Sequence, residues 1–181
     1  MRRIAPEIRP IIHKATYYRA RYESPMGPLF LLSNGESLLE LAFEQPSKDW
    51  QEDTKAEPFP MTMTQLEQYF AGTRTAFDIP TKPQGTNFQL RAWDELKNIP
   101  FGSTISYKTQ AARIGTVPRA VGLANGQNPL PIIVPCHRVI GAHGNLVGYG
   151  GGLNRKSALL LFEALVRDFG PHPFPVLRTA S

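Results

Sequence analysis

The sequence predicts an α/β protein in two parts: a small N-terminal domain over 1–84, with an antiparallel sheet and a helix, and a helical C-terminal domain over 85–169 that carries the chemistry. Three observations predict it. Aromatic and aliphatic runs before residue 46 are broken by Pro/Gly turns, as strands are. Pro80 to Thr86 holds two prolines and a glycine and reads as a linker. Beyond it, capping residues and apolar residues at helical spacing recur.

Taken in order, residues 1–15 form a Pro-interrupted leader expected to be irregular. Thr16–Glu23 and Leu29–Phe43 read as strands, punctuated by Pro25-Met26-Gly27-Pro28 and by Asn34-Gly35, a tight-turn dipeptide. Residues 46–60 are polar and proline-flanked, which predicts a surface loop. A helix is expected over Thr64–Ala71, with Leu66, Tyr69 and Phe70 inward and Gly72 as its stop. Asn87 is placed as the cap of the next helix, whose Phe88, Leu90, Ala92, Trp93 and Leu96 form a buried side ending before Pro100. Ser106 can cap a helix running to Ile114, with Gly115 closing it. Pro118, favourable in a first turn, starts another that runs to about Asn125. Leu153–Asp168 forms the last, with Leu159, Phe162, Leu165 and Val166 on its apolar side. The tail over 170–181 holds several prolines and is expected to be mobile.

Composition narrows the function classes. A hydrophobic content of 41% suits a globular chain, and a net charge of +5 suits an anionic partner without requiring one. No apolar run approaches the roughly 20 residues of a membrane span. The basic N-terminus lacks an apolar stretch before a cleavage site, so a soluble cytoplasmic protein is expected. The single cysteine excludes an internal disulfide and any multi-cysteine zinc site.

That cysteine sits in Pro131-Ile132-Ile133-Val134-Pro135-Cys136-His137-Arg138-Val139. A buried structural segment rarely carries His and Arg at its centre, because unpaired polar groups are costly to bury. The thiolate is the nucleophile, and cationic neighbours lower a thiol's pKa from about 8.5. On extended backbone Cys136 and His137 would point to opposite faces, so a water or a kink is needed to connect them. A base also needs an orienting partner, and the last helix offers Glu163.

Around Gly115, the residues Ala111, Ala112, Ile114, Val121 and Ala124 pattern as a helix-turn-helix with close-crossing helices; a plain helical hairpin fits the pattern as well. The second helix, Pro118-Arg119-Ala120-Val121-Gly122-Leu123-Ala124, carries one Arg among small and apolar residues. A major-groove reader needs several long polar side chains; this helix suits close approach to a surface with a single probe. Gly144 to Gly152 could close over a planar ligand while Tyr149 packs on it, and it lacks a phosphate-loop fingerprint.

Together these residues resemble the O6-alkylguanine-DNA alkyltransferases, the methylated-DNA–protein-cysteine methyltransferases, in their stand-alone bacterial form. Pro135-Cys136-His137-Arg138, Asn128-Pro129, Arg119-Ala120-Val121-Gly122, Ser106-Tyr107 and Tyr149-Gly150-Gly151-Gly152-Leu153 occur in family order. Ser24-Pro25-Met26-Gly27-Pro28-Leu29 resembles the start of the family's N-terminal domain. The resemblance implies a C-terminal domain of winged helix-turn-helix character that flips an alkylated base from duplex DNA through the minor groove. The alkyl group passes irreversibly to Cys136, one per protein molecule and with no cofactor.

By the same resemblance His137 activates Cys136 through a water, Glu163 orients His137, and Asn128 holds the turn before the cysteine. Arg119 fills the gap left by the flipped base, Tyr107 crowds the phosphate and bonds the base, and Ala120, Gly122 and Ala124 form the small-residue DNA face. Tyr107, Val147, Gly148, Tyr149 and Gly150 line the lesion pocket, where Gly150 leaves room for groups larger than methyl. The partner implied is double-stranded DNA bearing O6-alkylguanine, with O4-alkylthymine a second substrate; the protein acts as a monomer, with cooperative assembly on DNA the alternative to isolated binding. Two other readings compete: a cysteine hydrolase using the same three residues, and a damage-recognition protein with an inert cysteine.

Overall fold

The computed structural model describes residues 16–45 and 52–175. The leader 1–15, residues 46–51 of the expected loop and residues 176–181 lie outside the described residues.

The N-terminal part is an antiparallel sheet in the order β1 (Tyr18–Ser24), β2 (Gly27–Ser33), β3 (Leu38–Ala42). The central strand β2 buries Leu29, Phe30 and Leu31 in succession, so both of its faces are covered. The Asn34-Gly35 connection is longer than a two-residue turn: β2 ends at Ser33, pairing resumes at Leu38, and Asn34 Oδ1 accepts the amides of Glu36 and Ser37. Helix α1 spans Phe59–Phe70, starting well before Thr64. Phe59 is fully buried, and Pro60 is tolerated in the first turn, where its missing N–H is not needed. The start of the linker lies along the sheet: Leu38 N donates to Pro80 O at 2.8 Å and Lys82 N to Leu38 O at 2.9 Å.

The helical part contains α2 (Asn87–Leu96), α3 (Tyr107–Arg113), α4 (Pro118–Gly126) and α5 (Leu153–Phe169). Thr86 caps α2 through a capping box with Gln89, so Asn87 is the first helical residue instead of the cap. Ala92, Trp93 and Leu96 are buried as expected, whereas Leu90 is exposed. Ser106 caps α3, accepting the amide of Thr109 at 3.0 Å. Gly115 takes φ +70° between α3 and α4, where a side chain would be strained. A buried amide pair, Asn125 Nδ2 to Gln110 Oε1 at 2.7 Å, fixes the crossing of the two helices. Short parallel strands β4 (Ile105–Ser106) and β5 (Val139–Ile140) strap the start of α3 to the segment after the cysteine.

One apolar cluster runs from the sheet (Leu29, Leu31) through α1 (Leu66, Tyr69) and α2 (Leu96) to α5 (Leu159, Phe162). Each such buried side chain contributes about 1.5–3 kcal/mol by leaving water. The tail is not free from Gly170 onward: Phe174 is buried, its ring packs on Phe70 and Phe162, and its amide donates to Phe70 O at 2.7 Å. An aromatic side chain that finds a groove outweighs the prolines around it. Among the described residues no helix is long and apolar enough to cross a membrane.

Candidate active site

Cys136, His137 and Arg138 form a 3₁₀ turn, not extended backbone. The cause lies upstream. Ile132 is forced to φ +75°, an uncommon state for a β-branched residue, and Pro135 precedes the turn. Asn128 holds this loop closed, donating from Nδ2 to Val134 O at 2.8 Å and accepting Leu130 N at 3.0 Å. Cys136 N then bonds Val134 O, and Arg138 N bonds Pro135 O. In a 3₁₀ turn successive side chains diverge by about a third of a turn, so Cys136 and His137 are not on opposite faces.

All three side chains are buried. The imidazole and guanidinium are tolerated because α5 delivers Glu163 beneath them. Glu163 Oε1 accepts His137 Nε2 at 2.9 Å, Arg138 Nη2 at 2.9 Å and Tyr69 Oη at 2.8 Å. Its Oε2 accepts Arg138 Nε at 2.8 Å and the amide of Gly102 at 3.0 Å. Burial alone would raise the Glu163 carboxyl; the His137 ring and the Arg138 guanidinium reverse the sign and hold it well below the usual carboxylate range. Burial keeps His137 below its ordinary value, hence neutral, against the upward pull of Glu163. A carboxylate can only accept, so the imidazole proton sits on Nε2 and Nδ1 carries the free lone pair. Nδ1 is buried with no hydrogen-bond partner among the described residues.

The thiol departs from the sequence expectation. Burial pushes Cys136 up to about 11, and the downward influence of the Asn128 side chain and Lys156 is smaller. At neutral pH Cys136 is therefore a protonated thiol. A protonated thiol attacks only if a base takes its proton, and the adjacent residue carries an imidazole nitrogen with no hydrogen-bond partner among the described residues.

Lys156, one face of α5 and two turns before Glu163, is also buried. Its Nζ donates to Val139 O and Val147 O, both at 2.7 Å, and to Gly148 O at 3.2 Å. The Tyr107 hydroxyl donates to the same Val147 and Gly148 carbonyls. Together they fasten the glycine-rich loop over the site. Burial raises Tyr107 to about 12, with Cys136 adding to the effect.

A cavity of about 520 Å³ opens onto Cys136 and is lined by Asn128, Tyr149 and Gly150. Of the expected lesion-pocket residues, Tyr107, Val147 and Gly148 are not in its walls. Its far side is instead the N-terminal sheet: Leu41 and Phe43, with Arg155 stacked 4.7 Å over the Phe43 ring. A Cβ at Gly151 would meet Phe43 at 2.5 Å, while one at Gly150 would meet only Gly126 O at 3.5 Å. On the opposite helices, Arg119 is exposed in the first turn of α4, and Ala120 and Gly122 are partly exposed. Ala124 is not on this face: it is buried, and its carbonyl accepts the Trp93 indole at 2.8 Å. Leu123 and Val117, exposed by 66% and 61%, occupy the outward positions instead. Among the described residues no group of His, Cys, Asp or Glu is placed to hold a metal ion.

Residues 17–83 match the family model described as the 6-O-methylguanine DNA methyltransferase ribonuclease-like domain, and residues 87–165 match that family's DNA binding domain. The "Methylated-DNA--protein-cysteine methyltransferase" of Mycobacterium tuberculosis is 50% identical over 154 residues, 81% of this chain and 92% of that one. The chain belongs to the 6-O-methylguanine DNA methyltransferase family. Enzymes of this family carry out alkyl-transfer DNA repair, and this chain is one of them. The protein of the same name from Methanosarcina acetivorans is 46% identical over 154 residues, 81% of this chain and 97% of its own. Among solved structures, Mycobacterium tuberculosis OGT in complex with DNA superposes with TM-score 0.74 at 51% identity, covering 82% of this chain and 92% of that one. The methyltransferase of Methanococcus jannaschii gives TM-score 0.63 at 29% identity, covering 81% and 93%.

For this methyltransferase, the sequence pattern gives Lys156, Phe43 and Arg155 no site role, marks Tyr69 only as an inward helix residue, and marks Arg138 only as a polar neighbour of the thiol. Lys156 had a signal: a lysine two turns from Glu163 on a helix face otherwise made of Leu159, Phe162 and Val166. Tyr69 had none, since it is 94 residues from the carboxylate it touches.

Proposed function

We propose that this methyltransferase flips O6-alkylguanine out of duplex DNA through the minor groove and transfers the alkyl group once, irreversibly, to Cys136. The observation that carries the reading is the buried His137: Nε2 is tied to Glu163, and Nδ1 is unspent next to a thiol that burial keeps protonated. His137 Nδ1 takes the thiol proton through a bridging water. The sulfur lone pair forms the S–C bond as the C–O6 bond breaks, and that bond's electron pair returns to the guanine. A thioether results, and water does not reverse it. Arg119 enters the vacated stack while the low-profile Ala120 and Gly122 let α4 approach the groove. Asn128 supports the turn and the thiol. Tyr149 and Gly150 border the base, and release of Tyr107, Val147 and Gly148 from their mutual hydrogen bonds admits it. The open space at Gly150 supports alkyl groups beyond methyl, and O4-alkylthymine is the second substrate. Two domains meeting near residue 85 act as a monomer.

The test uses duplex DNA carrying one radiolabelled O6-methylguanine with wild type and Cys136→Ser. Label on the wild type at about one per molecule, and none on the mutant, is expected. Binding without label on either protein would leave a damage-recognition protein. Arg119→Ala should retain acceptance from a free alkylated base while losing it from duplex DNA. Transfer of methyl but never benzyl would remove the role given to Gly150.

A further inference from the structure

Tyr69 belongs to α1 in the N-terminal part, and no wall of the cavity includes it. It is nevertheless fully buried, and its hydroxyl lies 2.8 Å from Glu163 Oε1, the oxygen that also receives His137 Nε2. Its ring packs on Phe70, Phe77, Phe101 and Phe162 at centroid distances of 5.3–5.9 Å. A phenylalanine would fill that aromatic nest without the desolvation cost of a buried hydroxyl, so packing alone does not account for the oxygen.

We propose that Tyr69 is a positioning residue for alkyl transfer, acting through Glu163 Oε1 to set the orientation and basicity of His137. The inference rests on His137 serving as the base. Oε1 accepts three donors, so the share given to Tyr69 is taken from His137. Removing the Tyr69 donor leaves Oε1 a stronger acceptor toward His137, which makes the ring more basic, and frees the carboxylate to rotate. Besides Glu163, the groups that act on His137 are Arg138 in its own turn, Lys156 on α5 and Tyr149 in the glycine-rich loop. All of these remain when Tyr69 changes, which makes the contribution of Tyr69 separable.

The experiment is Tyr69→Phe in the full chain, measured by single-turnover transfer against pH and by nitrogen NMR titration of the His137 ring. The expected result is a rate about tenfold lower at neutral pH with DNA affinity unchanged, the size of one lost hydrogen bond to a charged group. The acid limb of the rate profile and the His137 midpoint should both move up by about half a unit or more. In a His137→Asn background the same substitution should add little, because the two changes interrupt one path. A lower melting temperature with an unmoved acid limb and unmoved His137 titration would reduce Tyr69 to packing and overturn the proposal. Failure of the wild type to label Cys136 would instead overturn the underlying reading.

Discussion

The buried face of α5 carries two opposite charges two turns apart, and the two ends solve burial differently. At the Glu163 end the carboxylate meets a guanidinium, an imidazole N–H, a phenol and a backbone amide. At the Lys156 end the ammonium meets only dipoles: three carbonyls and the Tyr107 hydroxyl. A full counter-charge fixes protonation at every working pH; dipoles do not fully replace water. Glu163 accordingly stays ionised, whereas burial lowers Lys156 to about 8. The first end is built for a constant charge beside His137. The second is a fastener whose charge changes within reach of neutrality.

The largest expected effect breaks the first end. Glu163→Ala strands Arg138 in the interior, which should cost about 3–5 kcal/mol and lower the melting temperature by roughly 6–20 °C. Lys156→Met should cost less, about 1–2 kcal/mol, because it orphans carbonyls and no counter-charge. Its main signature should be faster amide exchange across 147–150. A greater loss for Lys156→Met than for Glu163→Ala, read by thermal unfolding, would reverse the comparison.

Thiol chemistry sharpens it further. Lys156, lowered to about 8, is already neutral where the thiol titrates near 11, so Lys156→Met and Glu163→Gln should both leave the alkylation midpoint of Cys136 in place, whereas Asn128→Ala, which removes the largest influence pulling the thiol down, should raise it. The smallest effect is in stability against pH. Lys156 is lowered from 10.5 to about 8, so between those values the unfolded chain binds more protons and the Lys156 contribution improves as pH rises. The Glu163 contribution is fully present above its ordinary 4.5 and is lost as pH falls below it. Chemical unfolding of wild type and Lys156→Met at pH 7 and 10 should show the wild type's advantage over the variant widening at the higher pH.

Much of this was legible in the chain. Strand and helix positions, the Ser106 cap, the Gly115 turn and the gathering of a thiol, an imidazole and a guanidinium in Cys136-His137-Arg138 follow from local patterns of one to ten residues. The errors fall where a neighbour in space overrode a local rule. Phe59 extended α1 because a groove was available for it; Phe174 anchored the tail for the same reason. Ala124, which looked like part of a small-residue surface, is small because α2 crosses it.

The sequence by itself determined which groups could react: one thiol, an imidazole beside it, and a carboxylate on the apolar face of the last helix. Tertiary structure decided their states. Burial, which no linear pattern measures, keeps Cys136 protonated and His137 neutral. The meeting of α1, α5 and the 3₁₀ turn gives Glu163 enough donors to remain charged there. Protonation depends on the solvation and charge surrounding a group in space, and those are set only when distant segments pack.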